Sequence, residues 1–321
     1  MNEYRKVQNK EKDTMGMKSF KCLLCGNLHL NNIIKDGTRD SNQQVVQCSK
    51  CSLVQLFPLP SVEEDAEYYD KNVHDKMTTP TLDVDGIYNK FLYQNENKLR
   101  YLEEKLHISR DWKMLDYASG YGFFIQLMNK HGYTFDGLDI SKERLSICHA
   151  RLAESDYNGH IYSTNLLEED VPLELVGKYD LITMFHLLEH LINPVELLVK
   201  VKKMLKPNGI LVLELPNYAN SMMEISKEFH DFFFIRDHVA YYTPETVKIP
   251  LREAGFTDIM VNGVQIYGLT NHMNWILNKG PQLMSPSYES CEGMKWIEKI
   301  YRETLENELK SEYMSVIVRN V

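Results

Sequence analysis

Four cysteines fall in two Cys-x-x-Cys pairs, Cys22/Cys25 and Cys48/Cys51, with 22 residues between the pairs. Two such knuckles can present four thiolates to one tetrahedral zinc ion, and a module this small could not otherwise bury enough core to fold. Four thiolates close the coordination shell, so the ion would be structural; a redox dithiol or a ribbon that has lost its metal is the alternative. The remaining two of the six cysteines, Cys148 and Cys291, lie far apart, which fits a reducing compartment better than a disulfide framework. A second chemical feature is the run Asp116-Tyr117-Ala118-Ser119-Gly120-Tyr121-Gly122, preceded by apolar Met114 and Leu115 and followed by helix-like Phe123 to Asn129. A ligand can sit at the carboxyl end of such a strand, where Gly120 and Gly122 remove the Cβ atoms that would hold the backbone away. Asp139 follows Gly120 by 19 residues, at the end of the next apolar run, where a carboxylate can accept both hydroxyls of an adenosine ribose. A tight turn with a solvated Asp is the plain alternative, and the conjunction of loop, spacing and carboxylate argues against it.

The run His186-Leu187-Leu188-Glu189-His190 spells the H-x-x-E-H of one zinc peptidase class, which needs both histidines on one helix face. Here the preceding residues are strand-like, and Pro194 starts a new element four residues after His190. The run is therefore expected to be a loop, with Glu189 packed beside the ligand and His190 directed towards a substrate.

These residues need elements to hold them. From residue 113 short apolar runs alternate with amphipathic stretches, the pattern of a parallel sheet with crossover helices. Strands are expected at Lys113 to Tyr117, Tyr133 to Leu138, His160 to Ser163, Tyr179 to Phe185, Gly209 to Leu215, Asp258 to Ile266 and Tyr313 to Val318. Pro194 and Lys206-Pro207-Asn208-Gly209 bound one helix, and Thr243-Pro244-Glu245-Thr246 opens another. Ahead of this domain, residues 1–19 form a charged leader, residues 20–60 a zinc-ribbon module with a β-like run at Gln44 to Gln47, closed by Phe57-Pro58-Leu59-Pro60. Residues 61–112, with Tyr68, Tyr69, Tyr88, Phe91, Tyr93 and Leu99 among charges, form connecting helices. Trp275, Trp296 and Tyr267 are expected to fill the core, with a pocket lining as the alternative.

An NAD site would carry G-x-G-x-x-G, and the spacing here differs. The glycine run instead resembles the first motif of class I S-adenosylmethionine (SAM) dependent methyltransferases, with Ala118 in place of the first glycine. The resemblance continues through Gly137-Leu138-Asp139-Ile140-Ser141, Lys178-Tyr179-Asp180-Leu181-Ile182-Thr183, Phe185 to Leu191, Asn193-Pro194 and Leu205 to Pro216, and covers residues 113 to about 260. It implies an α/β, Rossmann-like, seven-stranded sheet. It also implies Asp139 on the ribose, Asn165 and Leu166 near the adenine, and Ala118, Gly120, Gly122 and Phe185 near the methionine end, with Asp116, Ile140 and His186 in the same contact set. With its four-cysteine module the chain resembles sugar C-methyltransferases of deoxysugar pathways and related glycan or natural-product methyltransferases. In that branch a Glu-His pair follows the fifth strand; here Ile235-Arg236-Asp237-His238 stands in its place, with Asp for Glu and Ile for a tyrosine. The resemblance thereby names His238 as general base, oriented by Asp237 or a neighbouring carboxylate, with His190 as the alternative base, a role that suits an imidazole near neutral pH.

The formal net charge is −9, from 36 Lys and Arg against 45 Asp and Glu, the opposite of what a phosphate backbone selects. No stretch approaches the ~20 apolar residues of a membrane span, and Met1 to Gly16 lacks the apolar segment of a signal peptide. The expectation is a cytoplasmic enzyme that methylates a sugar, a nucleotide-linked sugar or a related polar intermediate, with no nucleic-acid or membrane partner. An O-methyltransferase of an aromatic or quinone-like acceptor is the alternative if the pocket is apolar. A zinc-ribbon nucleic-acid-binding protein on a degenerate SAM fold is the rival from another class.

Overall fold

The computed structural model describes residues 20–61, 64, 83–153, 155–281 and 291–321. The expected leader, together with Tyr68 and Tyr69, lies outside them.

The main sheet has seven strands: β4 (Met114–Tyr117), β5 (Phe135–Asp139), β6 (Ile161–Ser163), β7 (Tyr179–Phe185), β8 (Leu205–Pro216), β10 (Asp258–Val264) and β11 (Tyr313–Arg319). Their order is β10-β11-β8-β7-β4-β5-β6. Neighbours from β6 to β8 are parallel, while β11 runs antiparallel to both β8 and β10. All seven expected strands are present, and their edges move for local reasons. β5 starts two residues late because Tyr133 N still donates to Met128 O, closing the turn after helix α2 (Phe123–Lys130). β8 starts early, at Leu205, because Lys206 to Gly209 loop out of a ladder that pairs Tyr179 with Leu205 and Leu181 with Ile210.

Helix α1 (Val84–Leu106) is the described part of the expected connection, and Asp83 caps it by accepting from Gly86 N at 2.8 Å. It lays Leu99 and Leu102 on the sheet face that α2 and α3 (Lys142–Leu152) also cover, against Met114, Phe124, Ile210 and Ile317. Helix α4 (Pro194–Met204) starts at Pro194 as expected and buries Leu197, Leu198 and Val201 on the opposite face. Two short helices, α5 (Met222–Ile225) and α6 (Lys227–Phe233), follow β8. The Thr243 signal acts one turn ahead of its helix: Thr243 and Thr246 exchange backbone-to-hydroxyl bonds, and α7 (Lys248–Glu253) begins only afterwards. Helices α8 (Leu269–Asn278) and α9 (Lys295–Asn307) lie between β10 and β11 in the chain.

The N-terminal segment forms an antiparallel sheet of β1 (Leu30–Lys35), β2 (Gln44–Cys48) and β3 (Val54–Phe57), and β3 ends at Phe57, before Pro58, as expected. Its fourth strand, β9 (Ala240–Tyr241), comes from far along the chain and pairs Tyr241 with Val54 and Ala240 with Gln55. Val45, Val54 and Leu56 bury against Phe234, Val239 and Tyr241. Phe20, Leu24 and Leu53 join Leu188, Leu191 and Tyr242 in the core of the main sheet. The segment that carries Asp237 and His238 is thus pinned between the two sheets.

Candidate active site and cysteine cluster

Ala118 N and Ser119 N both donate to Leu138 O, at 2.7 and 3.1 Å, which ties the loop after β4 to the neighbouring strand. Gly120 N and Ser141 N then donate to the two carboxylate oxygens of Asp139, each at 2.8 Å. Loop and carboxylate therefore hold each other in place, and each oxygen keeps a lone-pair direction for a further donor. The two glycines do different things. A Cβ on Gly120 would meet nothing within 4 Å, whereas one on Gly122 would meet Cys148 Sγ at 2.3 Å. Gly120 leaves room for a ligand; Gly122 instead lets the start of α2 pack on α3, which corrects the ligand-approach reading of that residue. Ala118 has φ 62°, the conformation a glycine adopts without strain.

A small concavity of about 60 Å³ beside the loop is lined by Tyr117, Ala118, Asp139, Ile140, Leu167 and Leu187, among others. An apolar slot with a carboxylate at its end and open backbone at Gly120 is what an adenosine needs, so these residues fit the SAM that the sequence motifs imply. Asn165 shapes the slot's wall: its side-chain oxygen accepts from Leu167 N at 3.1 Å. Leu166 is fully buried in the core, so Leu167, not the Leu166 named from sequence, faces the slot. Asp116 lies behind the loop and accepts from Thr183 Oγ1 at 2.7 Å. Burial pushes its carboxyl up to about 7, against the Thr183 bond and the nearby Lys98 charge, with Asp139 adding to the rise.

Beyond the loop a line of charged groups runs across the carboxyl ends of β8 and β7. Lys98 of α1 sits 4.6 Å from the centre of the Phe185 ring, and its Nζ is 3.5 Å from Glu214 Oε1. His186 Nε2 is 3.3 Å from the same Glu214 oxygen, and its Nδ1 is 3.6 Å from Glu189 Oε1. Burial lowers the His186 imidazole, but the two carboxylates raise it further, and the net shift is upward. On the far side of Glu189, His190 Nε2 stands 4.0 Å from the same Oε1, while its Nδ1 meets the Asp237 carbonyl oxygen at 2.9 Å. The His190 and His238 rings pack edge to face, 5.0 Å between centres. Glu189 is 2% exposed; burial raises its carboxyl, but His186, His190 and His238 pull it down to about 2.

His186 and His190 do not share a helix: His186 follows the end of β7 with φ 52°, and His190 closes a 3-10 turn, Leu188–His190. The peptidase geometry is therefore absent. The structure brings His190, Asp237 and His238 together; Asp237 reaches His190 through its backbone carbonyl, and the carboxylate that faces His190 Nε2 is Glu189. The sequence allows a neighbouring carboxylate beside the histidines without naming Glu189 for it, and gives no sign of Lys98 or Glu214. A lysine inside an amphipathic helix looks solvated, and only the fold turns it inward. Tyr241 spends its hydroxyl on Ile235, donating to its carbonyl at 2.8 Å and accepting from its amide at 3.0 Å. Trp275 is core, against Phe229 and Phe232. Trp296 and Tyr267 are 60% and 41% exposed, against expectation, because α9 and the segment after β10 leave those faces open.

In the cysteine cluster Cys22 Sγ lies 3.5 Å from Cys51 Sγ and Cys25 Sγ 3.6 Å from Cys48 Sγ, and all four sulfurs lie within 4.8 Å of one another. Gly26 N closes the first knuckle on Cys22 O, and Ser52 N closes the second on Cys48 O. Tetrahedral zinc with bonds of ~2.3 Å asks for sulfurs ~3.8 Å apart, so the cluster fits that ion.

The model of the methyltransferase-domain family matches residues 87–261, more than half of the chain. The chain belongs to that family. Proteins named ubiquinone biosynthesis O-methyltransferase are similar over part of the chain. The protein of Vibrio parahaemolyticus is 30% identical over 135 residues, 42% of this chain and 57% of that one. That of Histophilus somni is 27% identical over 141 residues, 43% and 58% of the two chains. The chain thus spans little more than half the length of these curated relatives. Among solved structures, phosphoethanolamine N-methyltransferase 2 of Haemonchus contortus with S-adenosyl-L-methionine has a TM-score of 0.52 at 16% identity, covering 83% of this chain and 62% of that one. A complex of the Haloferax volcanii Trm112 methyltransferase activator and a methyltransferase has a TM-score of 0.50 at 12% identity, covering 74% and 94%. Identities this low speak for the fold alone. The chain carries a methyltransferase domain on a Rossmann-like seven-stranded sheet. Among the described residues no helix is long and apolar enough to cross a membrane.

Proposed function

We propose that this methyltransferase acts on a polar small molecule, a sugar, a nucleotide-linked sugar or a related biosynthetic intermediate, in the cytoplasm. One observation carries the choice. A cleft of about 750 Å³ between α1, β10 and α9 reaches Glu214, and four Lys or Arg and four Glu side chains line it together with five amides. A polyhydroxylated acceptor finds donors and acceptors along such a wall, whereas an apolar aromatic one gains little from it.

SAM supplies an activated methyl on a sulfonium. Asp139 holds the ribose, Tyr117, Ile140 and Leu167 the adenine, and Gly120 with Phe185 the methionine end. Asn165 shapes the adenine wall, while Asp116 and Gly122 support the loop from behind. With SAM bound, the acceptor atom would displace the methyl from sulfur in line, the carbon–sulfur electron pair staying on sulfur, and the acceptor's proton would pass to the histidine cluster and on to solvent. The Glu189–His190–His238 cluster, braced by the Asp237 carbonyl, activates the acceptor; His186 links that cluster to Glu214 at the mouth of the cleft. Cys22, Cys25, Cys48 and Cys51 hold a structural zinc that fixes the first sheet.

The O-methyltransferase relatives favour a second reading, a phenolic or quinone-like acceptor. Mass spectrometry of the protein with SAM and separate panels of sugar nucleotides, free sugars and dihydroxybenzenes decides between them. A mass gain of one methyl for one proton in the sugar panels supports the first reading, and a gain confined to the benzenes overturns it. In the active panel His238→Ala should lower turnover ~100-fold or more with SAM affinity near wild type.

A further inference from the structure

We infer that Glu189, His190 and His238 form a divalent-cation site separate from the cysteine cluster, and that the cation is how the cluster activates its acceptor. The inference rests on the reading of this cluster as acceptor-facing. One ligand atom from each residue lies within 4.8 Å of the others, close enough for small side-chain rotations to bring all three onto one ion with bonds of ~2.1 Å.

Two independent observations point to a cation. Glu189 is 2% exposed, and neither of its carboxylate oxygens has a hydrogen-bond partner, His186 Nδ1 standing just beyond reach at 3.6 Å from Oε1. A carboxylate buried in this way needs a positive charge beside it, and imidazoles carry one only when protonated. His190 in turn meets the Asp237 carbonyl through Nδ1, which fixes that nitrogen as the N–H donor and leaves the Nε2 lone pair towards Glu189. A backbone carbonyl that selects the tautomer in this way is the usual outer support of a metal-bound histidine.

Two imidazoles and one carboxylate suit first-row cations such as Mn²⁺, Fe²⁺ or Co²⁺ and leave coordination positions open. An acceptor hydroxyl in such a position loses its proton more readily, because the cation stabilises the oxyanion. The thiolate cluster selects softer ions, so Mn²⁺ discriminates between the two sites.

The test titrates Mn²⁺ into the full-length, zinc-loaded protein and follows the free ion by electron paramagnetic resonance, with SAM affinity measured in parallel by calorimetry. The expected result is one equivalent of bound Mn²⁺, weakened at least ~10-fold in Glu189→Gln and in His238→Ala while SAM affinity stays within about twofold. Turnover of the wild type should also fall after chelation and return with Mn²⁺. Absence of Mn²⁺ binding, or equal binding in wild type and both variants, overturns the inference and leaves the histidines as a proton acceptor. Because the readout is metal binding, it stands apart from the identity of the acceptor.

Discussion

Gly120 and Gly122 look alike in the sequence, and the structure separates them. Both have positive φ, so an alanine at either costs roughly 1–2 kcal/mol of backbone strain. At Gly122 the new methyl also enters Cys148, so Gly122→Ala should destabilise the protein by roughly 2–4 kcal/mol, seen as a lower urea midpoint. Gly120→Ala should show the smaller loss together with weaker SAM binding, because its methyl enters open space beside Asp139. Asp116 gives a pH signature. Its folded carboxyl titrates at about 7, above the ordinary ~3.9, so its favourable contribution is complete below about pH 4 and is lost as pH rises to about 7. Asp116→Asn should flatten that part of the stability profile; an unchanged slope in urea denaturation across this range would remove Asp116 as its source. At this scale the sequence exposed the residues that sit in a motif, such as Asp139 and His238. It hid those whose role depends on which way a helix or turn faces, such as Lys98 and Leu167.

The elements were legible where hydrophobic periodicity is strong. Tyr179 to Phe185 is a fully apolar central strand apart from Asp180 and Thr183, and its bounds coincide with β7. Periodicity could not disclose that β9 would complete the N-terminal sheet, since a two-residue strand has no period and its partner is set by tertiary packing. That pairing gives the cysteine module a second task. Leu56 N donates to Val239 O at 3.1 Å, so β3 holds the segment that carries His238. If the cluster holds the zinc proposed for it, a variant with Cys48→Ser and Cys51→Ser should lose that metal and much of its turnover, with smaller loss of SAM binding, because the proposed adenosine slot is built on β4 and β5. Elemental analysis and calorimetry on the same preparation check this; full turnover in a zinc-free variant would detach the module from the site.

Across the whole molecule the chain divides its work between two sheets. Parallel strands β4, β5 and β7 place the cofactor loop, Asp139 and Phe185 at one rim, and the sheet joined by β9 brings Asp237 and His238 over that rim. The polar cleft approaches the same rim from α1 and β10 and meets it at Glu214. The seven-stranded sheet, though not its strand order, was implied by motif resemblance, while the cleft was invisible in the sequence, because its wall draws on segments of α1, β8, β10 and α9 that are distant in the chain.

Cofactor binding through Asp139 tests the account most directly, since every other assignment is placed relative to it. Calorimetry with SAM should show saturable one-to-one binding to the wild type, weakened roughly 10- to 150-fold by Asp139→Ala, the loss of about 1.5–3 kcal/mol typical of hydrogen bonds to a charged group. Equal SAM affinity in wild type and variant, with the variant folded, would contradict the site described here.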